Sequence, residues 1–185
     1  MEGYNTEKQE YRGWTLRVEC HVDEHMGPPW EEPDGHGPVS DWTTRDKEPG
    51  EMVLHTDGRS RRYYDFAGAV KLARADGWDS EPFNKDGRET PGEQAHKAAL
   101  ADFKRLKGWC NDDWHWVGFT SAVISPDGDE TEGESVWGFD DEAYMLEDAF
   151  ETLRYQVDEL IEDRAREWKE ARILALETQL AEVWP

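Results

Sequence analysis

Two cysteines and two histidines recur at one spacing: Cys20 with His25, and Cys110 with His115, are both C-x4-H. Two thiolates and two imidazoles can close a tetrahedral zinc site. The spacing is looser than a C-x2-C knuckle, however, and Cys20 falls on the apolar side of an alternating run, where a small free thiol packs well unaided. Ordinary core cysteines are the stronger reading, and no cofactor is expected. A second constellation, Asp34-Gly35-His36-Gly37, sets a carboxylate and an imidazole in a glycine-rich loop, where catalytic groups often sit. It lacks a companion. No Ser or Cys occupies a nucleophile elbow, and neither a P-loop nor a dinucleotide fingerprint occurs. Carboxylates are so abundant that no acid/base pair stands out. Gly35 and Gly37 then permit a tight turn with His36 exposed or capping, and the chain is not expected to be an enzyme.

The turn Asp127-Gly128-Asp129-Glu130 begins like a calcium loop. Gly138 stands where the bidentate glutamate belongs, and no glycine holds the sixth place. A solvated hairpin tip whose charges prevent edge pairing is the plainer account. The basic run Arg59, Arg61 and Arg62 beside Tyr63 and Tyr64 would suit a nucleic acid on another chain. With 43 acidic and 21 basic residues and a net charge of −22, it more reasonably offsets nearby carboxylates, or pairs with the acidic face of another copy. Such a charge repels nucleic acid and anionic membrane and attracts basic proteins.

That charge is unevenly laid down. Residues 108–153 hold thirteen acids and no base, whereas residues 54–107 hold nine acids and eleven bases. The acid-rich stretch also holds Trp109, Trp114, Trp116 and Trp137, so it has the apolar material to fold, which a disordered acidic tail lacks. Ten Trp, six Tyr and six Phe in 185 residues offset a low hydrophobic content of 36%. Two cysteines make no disulfide framework, and neither a charged-then-apolar leader nor an apolar run near eighteen residues occurs. The expectation is a soluble intracellular protein.

The elements that must carry these groups follow from periodicity. Residues 11–22 alternate, with Trp14, Leu16, Val18, Cys20 and Val22 on one face, and read as a half-buried strand. Residues 23–50 are rich in Pro and Gly and read as a long irregular loop, pinned by Trp30 and Trp42. Residues 51–56 and 59–64 flank Asp57-Gly58, the signature of a type I′ hairpin. Asp65 should cap a helix over 66–76 that Gly77 ends. A polar loop spans 78–90. Thr90-Pro91-Gly92-Glu93 is a capping box for a helix to about Lys107. Strands 114–124 and 134–139 form a second hairpin, and a helix spans 141–183, with a stripe from Leu146 through Phe150, Leu153, Val157, Leu160 and Ile161 to Ala165, Trp168 and Ala171. The fold class is α+β, a single domain with a mainly antiparallel sheet of about five strands, two shorter helices and one long C-terminal helix. A helix of that length outruns such a domain, so its distal half should break, project or pair with a second copy, making a homodimer.

The phrases Pro29-Trp30, DGHGPVSDW (34–42), RYYDFAGAVKLARADGW (62–78), GWCNDDWHWVGF (108–119) and SVWGFDDEAY (135–144) resemble a group of small acidic proteins encoded by tailed phages and prophages. The likeness runs over residues 11–150 and implies a setting: a phage accessory protein in the cytoplasm of its bacterial host. Proteins of that kind are often counter-defence factors, and some imitate nucleic acid. The expected function is therefore inhibition of a nucleic-acid-binding defence complex, a CRISPR effector or restriction system. The contact would be a rigid acidic face: Asp127, Asp129, Glu130, Glu132, Glu134, Asp140, Asp141 and Glu142, with Trp114, Trp116 and Trp137 as frame. Two other readings stand beside it: a phage structural or assembly protein that oligomerises, and a metal-dependent regulator or enzyme using the DGHG loop.

Overall fold

The computed structural model describes residues 3–32, 35–78 and 89–183. It is an α+β protein. The chain divides into two compact units, residues 1–23 with 116–185, and residues 24–115. Where about five strands in one sheet were expected, the described residues hold seven strands in two sheets.

The first unit is a four-stranded antiparallel sheet in the order β1 (Asn5–Tyr11), β2 (Trp14–Val22), β6 (Val117–Ile124), β7 (Glu130–Phe139). The expected strand 11–22 is thus the second arm of a hairpin. Its turn is Arg12-Gly13, with φ of 50° and 81°. Both central residues of a type I′ turn need φ > 0, and an arginine in the first place conceals the signal. Trp14, Leu16, Val18 and Cys20 point to one face, as alternation requires, and Val22 at the end of the strand is exposed. They pack with Val117, Phe119 and Val123 of β6 against Met145, Ala149, Phe150, Leu153 and Val157 of the helix α3 (Glu142–Val183). Each such aliphatic side chain, fully buried, contributes roughly 1.5–3 kcal/mol. The apolar stripe does not stay buried along α3. From Glu162 onward every described side chain is exposed, so Ala165, Trp168 and Ala171 lie outside the core. The 42 residues of α3 span about 63 Å, nearly twice the length of the ten-residue β7.

The second unit is a three-stranded antiparallel sheet, in the order β3 (Val39–Trp42), β5 (Ser60–Asp65), β4 (Glu51–Asp57), with helices α1 (Phe66–Asp76) and α2 (Pro91–Cys110). Strand β3 and a 3-10 turn at Pro29–Glu31 lie inside the stretch expected to be irregular. Trp30 packs edge-on to Trp109 and beneath the guanidinium of Arg62, which anchors the turn as its aromatic character suggested. The β4–β5 connection differs from type I′: Asp57 pairs with Ser60, the loop is Gly58-Arg59, and of these only Gly58 has positive φ, at 54°. Both helices begin where their caps predict. Asp65 Oδ1 accepts from Gly68 N at 2.8 Å, Gly77 closes α1 in the left-handed region, and Thr90 with Glu93 completes a reciprocal capping box. Leu54, Tyr64, Ala69, Ala99, Phe103 and Leu106 make the core. The expected loop 78–90 falls largely outside the described residues.

Candidate functional site

The acid-rich residues sit on β7 and on the helix that follows it. After Phe139 the chain reverses, and α3 runs back along β7: Tyr144 lies 6.2 Å from Phe139 at one end, and Gln156 Nε2 donates to the Glu132 carbonyl at 3.1 Å. At the far end Arg164 reaches Asp127 and Asp129, at 4.0 and 3.9 Å. The eight carboxylates expected to form one cluster fall into two groups. Asp127, Asp129, Glu130, Glu132 and Glu134 lie at and near the hairpin tip. Asp140, Asp141 and Glu142 follow the other end of β7, roughly 20 Å beyond Glu134.

Several of the eight already have partners. Glu130 makes a two-pronged pair with Arg17, at 3.0 and 2.5 Å. Asp141 caps α3, accepting from Ala143 N and Tyr144 N. Glu142 accepts from the Tyr4 hydroxyl, and burial together with that bond raises the tyrosine's pKa. Of the expected frame residues, Trp116 is buried, whereas Trp137 is 40% exposed and lies over Gly118 and beside His21.

What joins the two groups is α3 itself. Asp148, Thr152, Gln156, Glu159 and Asp163 share its β7 side by helical spacing. Glu132, Glu134, Tyr155 and Glu159 are among the residues that line one open hollow of about 450 Å³ between strand and helix. Glu151 and Glu162 extend the same sign over exposed positions of α3, and Glu147 lies toward β1, lining a hollow with Glu7 and Gln9. These helical carboxylates were absent from the expected contact set, although their three- and four-residue spacing was readable.

The DGHG loop is not an exposed turn. His36 Nδ1 lies 2.6 Å from Asp102 Oδ1, and the two side chains are 7% and 9% exposed. Asp102 Oδ2 accepts from Gly37 N at 2.9 Å and from the Tyr64 hydroxyl at 2.7 Å. Tyr64 also reaches the Ala99 carbonyl, and its burial pushes the phenol pKa well up. An aspartate that orients an imidazole through Nδ1 recurs in hydrolytic sites. Here the arrangement ties the loop to α2. Asp34 lies outside the described residues.

The four zinc candidates are dispersed in role. Cys20 is fully buried in the first core, where desolvation pushes its thiol up to about 11. Cys110 ends α2, its thiol raised by burial and bonded to Arg62. His25 and His115 are exposed. Among the described residues no group of three or more His, Cys, Asp or Glu is placed to hold a metal ion. No protein-family model matches the chain, and neither a curated protein nor a solved structure matches it. No described helix is long and apolar enough to cross a membrane. Charge divides unequally between the units: the first carries 24 acids against 8 bases, a net −16, and the second carries 19 against 13, a net −6.

Proposed function

We propose that this protein binds the basic, nucleic-acid-binding surface of another protein through the carboxylates of β7 and the first half of α3. The intended setting is a phage-encoded inhibitor of a bacterial defence complex, a CRISPR effector or restriction system. One observation carries the reading. Glu147, Asp148, Glu151, Glu159 and Glu162 are exposed on α3 between Glu142 and Arg164, Asp140 and Asp141 are exposed just before it, and Glu132 and Glu134 are exposed on β7 beside it. That stretch of α3 is about 33 Å long, so the nine charges fall at about one per 3.7 Å, close to the 3.4 Å per phosphate of one DNA strand. A groove lined with Lys and Arg for a phosphate backbone would meet a comparable density here, and steering would make the encounter fast at low salt.

The experiment is binding of the purified protein to candidate defence complexes across rising salt, with and without competing DNA. Binding should weaken with salt and be displaced by DNA. Reversal of Glu132, Glu134, Glu151 and Glu159 to Lys should abolish it while leaving the thermal midpoint close to that of the parent. Tight binding insensitive to salt, to DNA and to the four reversals would refute the reading.

A second reading, an oligomeric or assembly protein, is favoured by the distal half of α3. Ile173, Leu176, Leu180 and Val183 follow a three-four repeat and are 55%, 43%, 67% and 76% exposed. Pairing of this seam with a second copy would cover it. Sedimentation of the parent and of Ile173→Asp with Leu180→Asp decides: a dimer that the two changes dissolve supports pairing, and a monomer throughout dismisses it.

A further inference from the structure

In a chain with twice as many acids as bases, Arg59 and Arg61 of the second unit, like Arg74 on α1, make no ion pair with a carboxylate among the described residues. Their neighbours are committed: Arg62 donates to Asp41 through two nitrogens at 2.7 Å, and Arg45 donates to Glu51 at 2.8 and 2.7 Å. Arg59 and Arg61 instead line one hollow of about 230 Å³, together with Thr43 and Thr44. We propose that this hollow, between the β3–β4 loop and the β4–β5 turn, binds one small oxyanion, a phosphate or phosphate monoester.

The placement follows from the fold. Arg61 lies on the central strand β5, opposite Trp42 on one side and Thr56 on the other. Arg59, two residues earlier in the turn, lines the same hollow. The β3–β4 loop borders that hollow and is held there by Arg45, whose guanidinium stacks on Trp42 and Tyr63 at 4.3 and 5.0 Å while gripping Glu51. The loop thereby brings Thr43 and Thr44 to the same hollow as the arginines. Arg59 belongs to the two-residue turn and Arg61 follows it on β5, and Gly58 leaves open space where a side chain would stand.

An independent observation points to a missing acceptor. Arg61 Nη1 and Arg45 Nε are both shielded from solvent and have no hydrogen-bond partner, and both residues border the hollow. A guanidinium N–H that is neither hydrated nor bonded is costly, because its desolvation is uncompensated. An oxyanion seated in the hollow, with a small side-chain adjustment, supplies acceptors and two negative charges to two unclaimed positive ones. The planar fork of arginine suits a tetrahedral oxyanion through paired N–H bonds. Asp46 at the rim opposes the charge, but it is exposed and therefore screened. The site takes one anionic group and no nucleic-acid backbone: a phosphate track needs successive cations, and Arg45 and Arg62 are spent on Glu51 and Asp41.

The test uses the whole chain, titrated with inorganic phosphate, with glycerol 2-phosphate and with chloride at matched ionic strength. Binding is followed by calorimetry and by the NMR shifts of the arginine Nε–H groups. The expected result is saturable binding of phosphate, of the monoester or of both above the chloride control. The tighter of the two identifies the free or the esterified form. Arg59→Gln and Arg61→Gln should each weaken it by about tenfold or more, and Arg74→Gln on α1 should not. Arg59 is an exposed turn residue, so its variant tests the site even where Arg61→Gln fails to fold. No saturable response beyond chloride, or equal affinity in the parent and Arg59→Gln, overturns the proposal. So does self-association that depends on Arg59 in a protein that ignores phosphate, because a second copy's carboxylates would then be the occupant.

Discussion

His36 and Asp102 stand sixty-six positions apart in the chain and 2.6 Å apart in the fold. The carboxylate of Asp102 collects three donors, His36, the Gly37 amide and the Tyr64 hydroxyl, in a site where both partners of the closest contact are nearly buried. Removing the charge while keeping the shape isolates what that network is worth. Asp102→Asn leaves one carbonyl acceptor for three donors and should cost about 1–3 kcal/mol of stability, read from urea unfolding. His36→Ala should cost a similar amount, and the double variant should show a coupling of about 0.5–3 kcal/mol. Strictly additive losses would mean that the two side chains act independently.

Gly37 is fixed by contact. A Cβ placed there would stand 2.5 Å from three atoms of the Tyr64 side chain, itself fully buried. Gly37→Ala should therefore destabilise the protein by about 1–3 kcal/mol, as overpacking does, whereas Gly58→Ala meets no atom within 4 Å and pays only for its positive φ. Comparison of the two thermal midpoints checks this, and Gly37→Ala should be the lower.

The Arg45–Glu51 pair makes a prediction about acid. Hydrogen bonds from Arg45, aided by the Glu48 amide, hold the Glu51 carboxyl at about 2, below its ordinary 4.5. A carboxyl whose pKa is lower in the folded state stabilises folding above the unfolded value. That contribution is lost as pH falls through the interval from about 4.5 to about 2. Unfolding midpoints of the parent and of Glu51→Gln, measured from neutral pH downward, should differ at pH 7 and converge near pH 2. A constant difference across that interval would show that Glu51 acts by packing and not by charge.

Burial of Cys20 predicts silence toward thiol reagents. With its thiol pushed to about 11, about one molecule in a thousand carries the thiolate at pH 8, against roughly one in four for an unperturbed cysteine. Labelling of Cys20 by iodoacetamide should follow the unfolding curve in urea and be negligible before it. Prompt labelling of the folded protein would place the thiol at an accessible edge.

The caps of α1 and α2 were legible because Asp65, Gly77, Thr90 and Glu93 act within four residues of their targets. The length of α3 was legible for a related reason, since no breaker interrupts it from Glu142 to Val183. The Arg12-Gly13 hairpin was hidden by an unfavourable residue at positive φ, and β3 by the Pro and Gly on either side of it. His36 looked like a turn residue because nothing near it in sequence announces Asp102.

The amino-acid order settled what neighbours a few positions apart can settle: the caps, the periodicity of each element, the sign of the charge and its concentration after Trp109. Tertiary structure decided which distant groups meet. It split the strands into two sheets, placed Glu132 and Glu134 beside Glu159, and left Arg59 and Arg61 facing Thr43 and Thr44. Those pairings arise from burial of apolar faces that are contributed by remote segments, as when Leu16, Val123 and Leu153 close one core. The free energy that brings them together is spread over the whole core and is written at no single position.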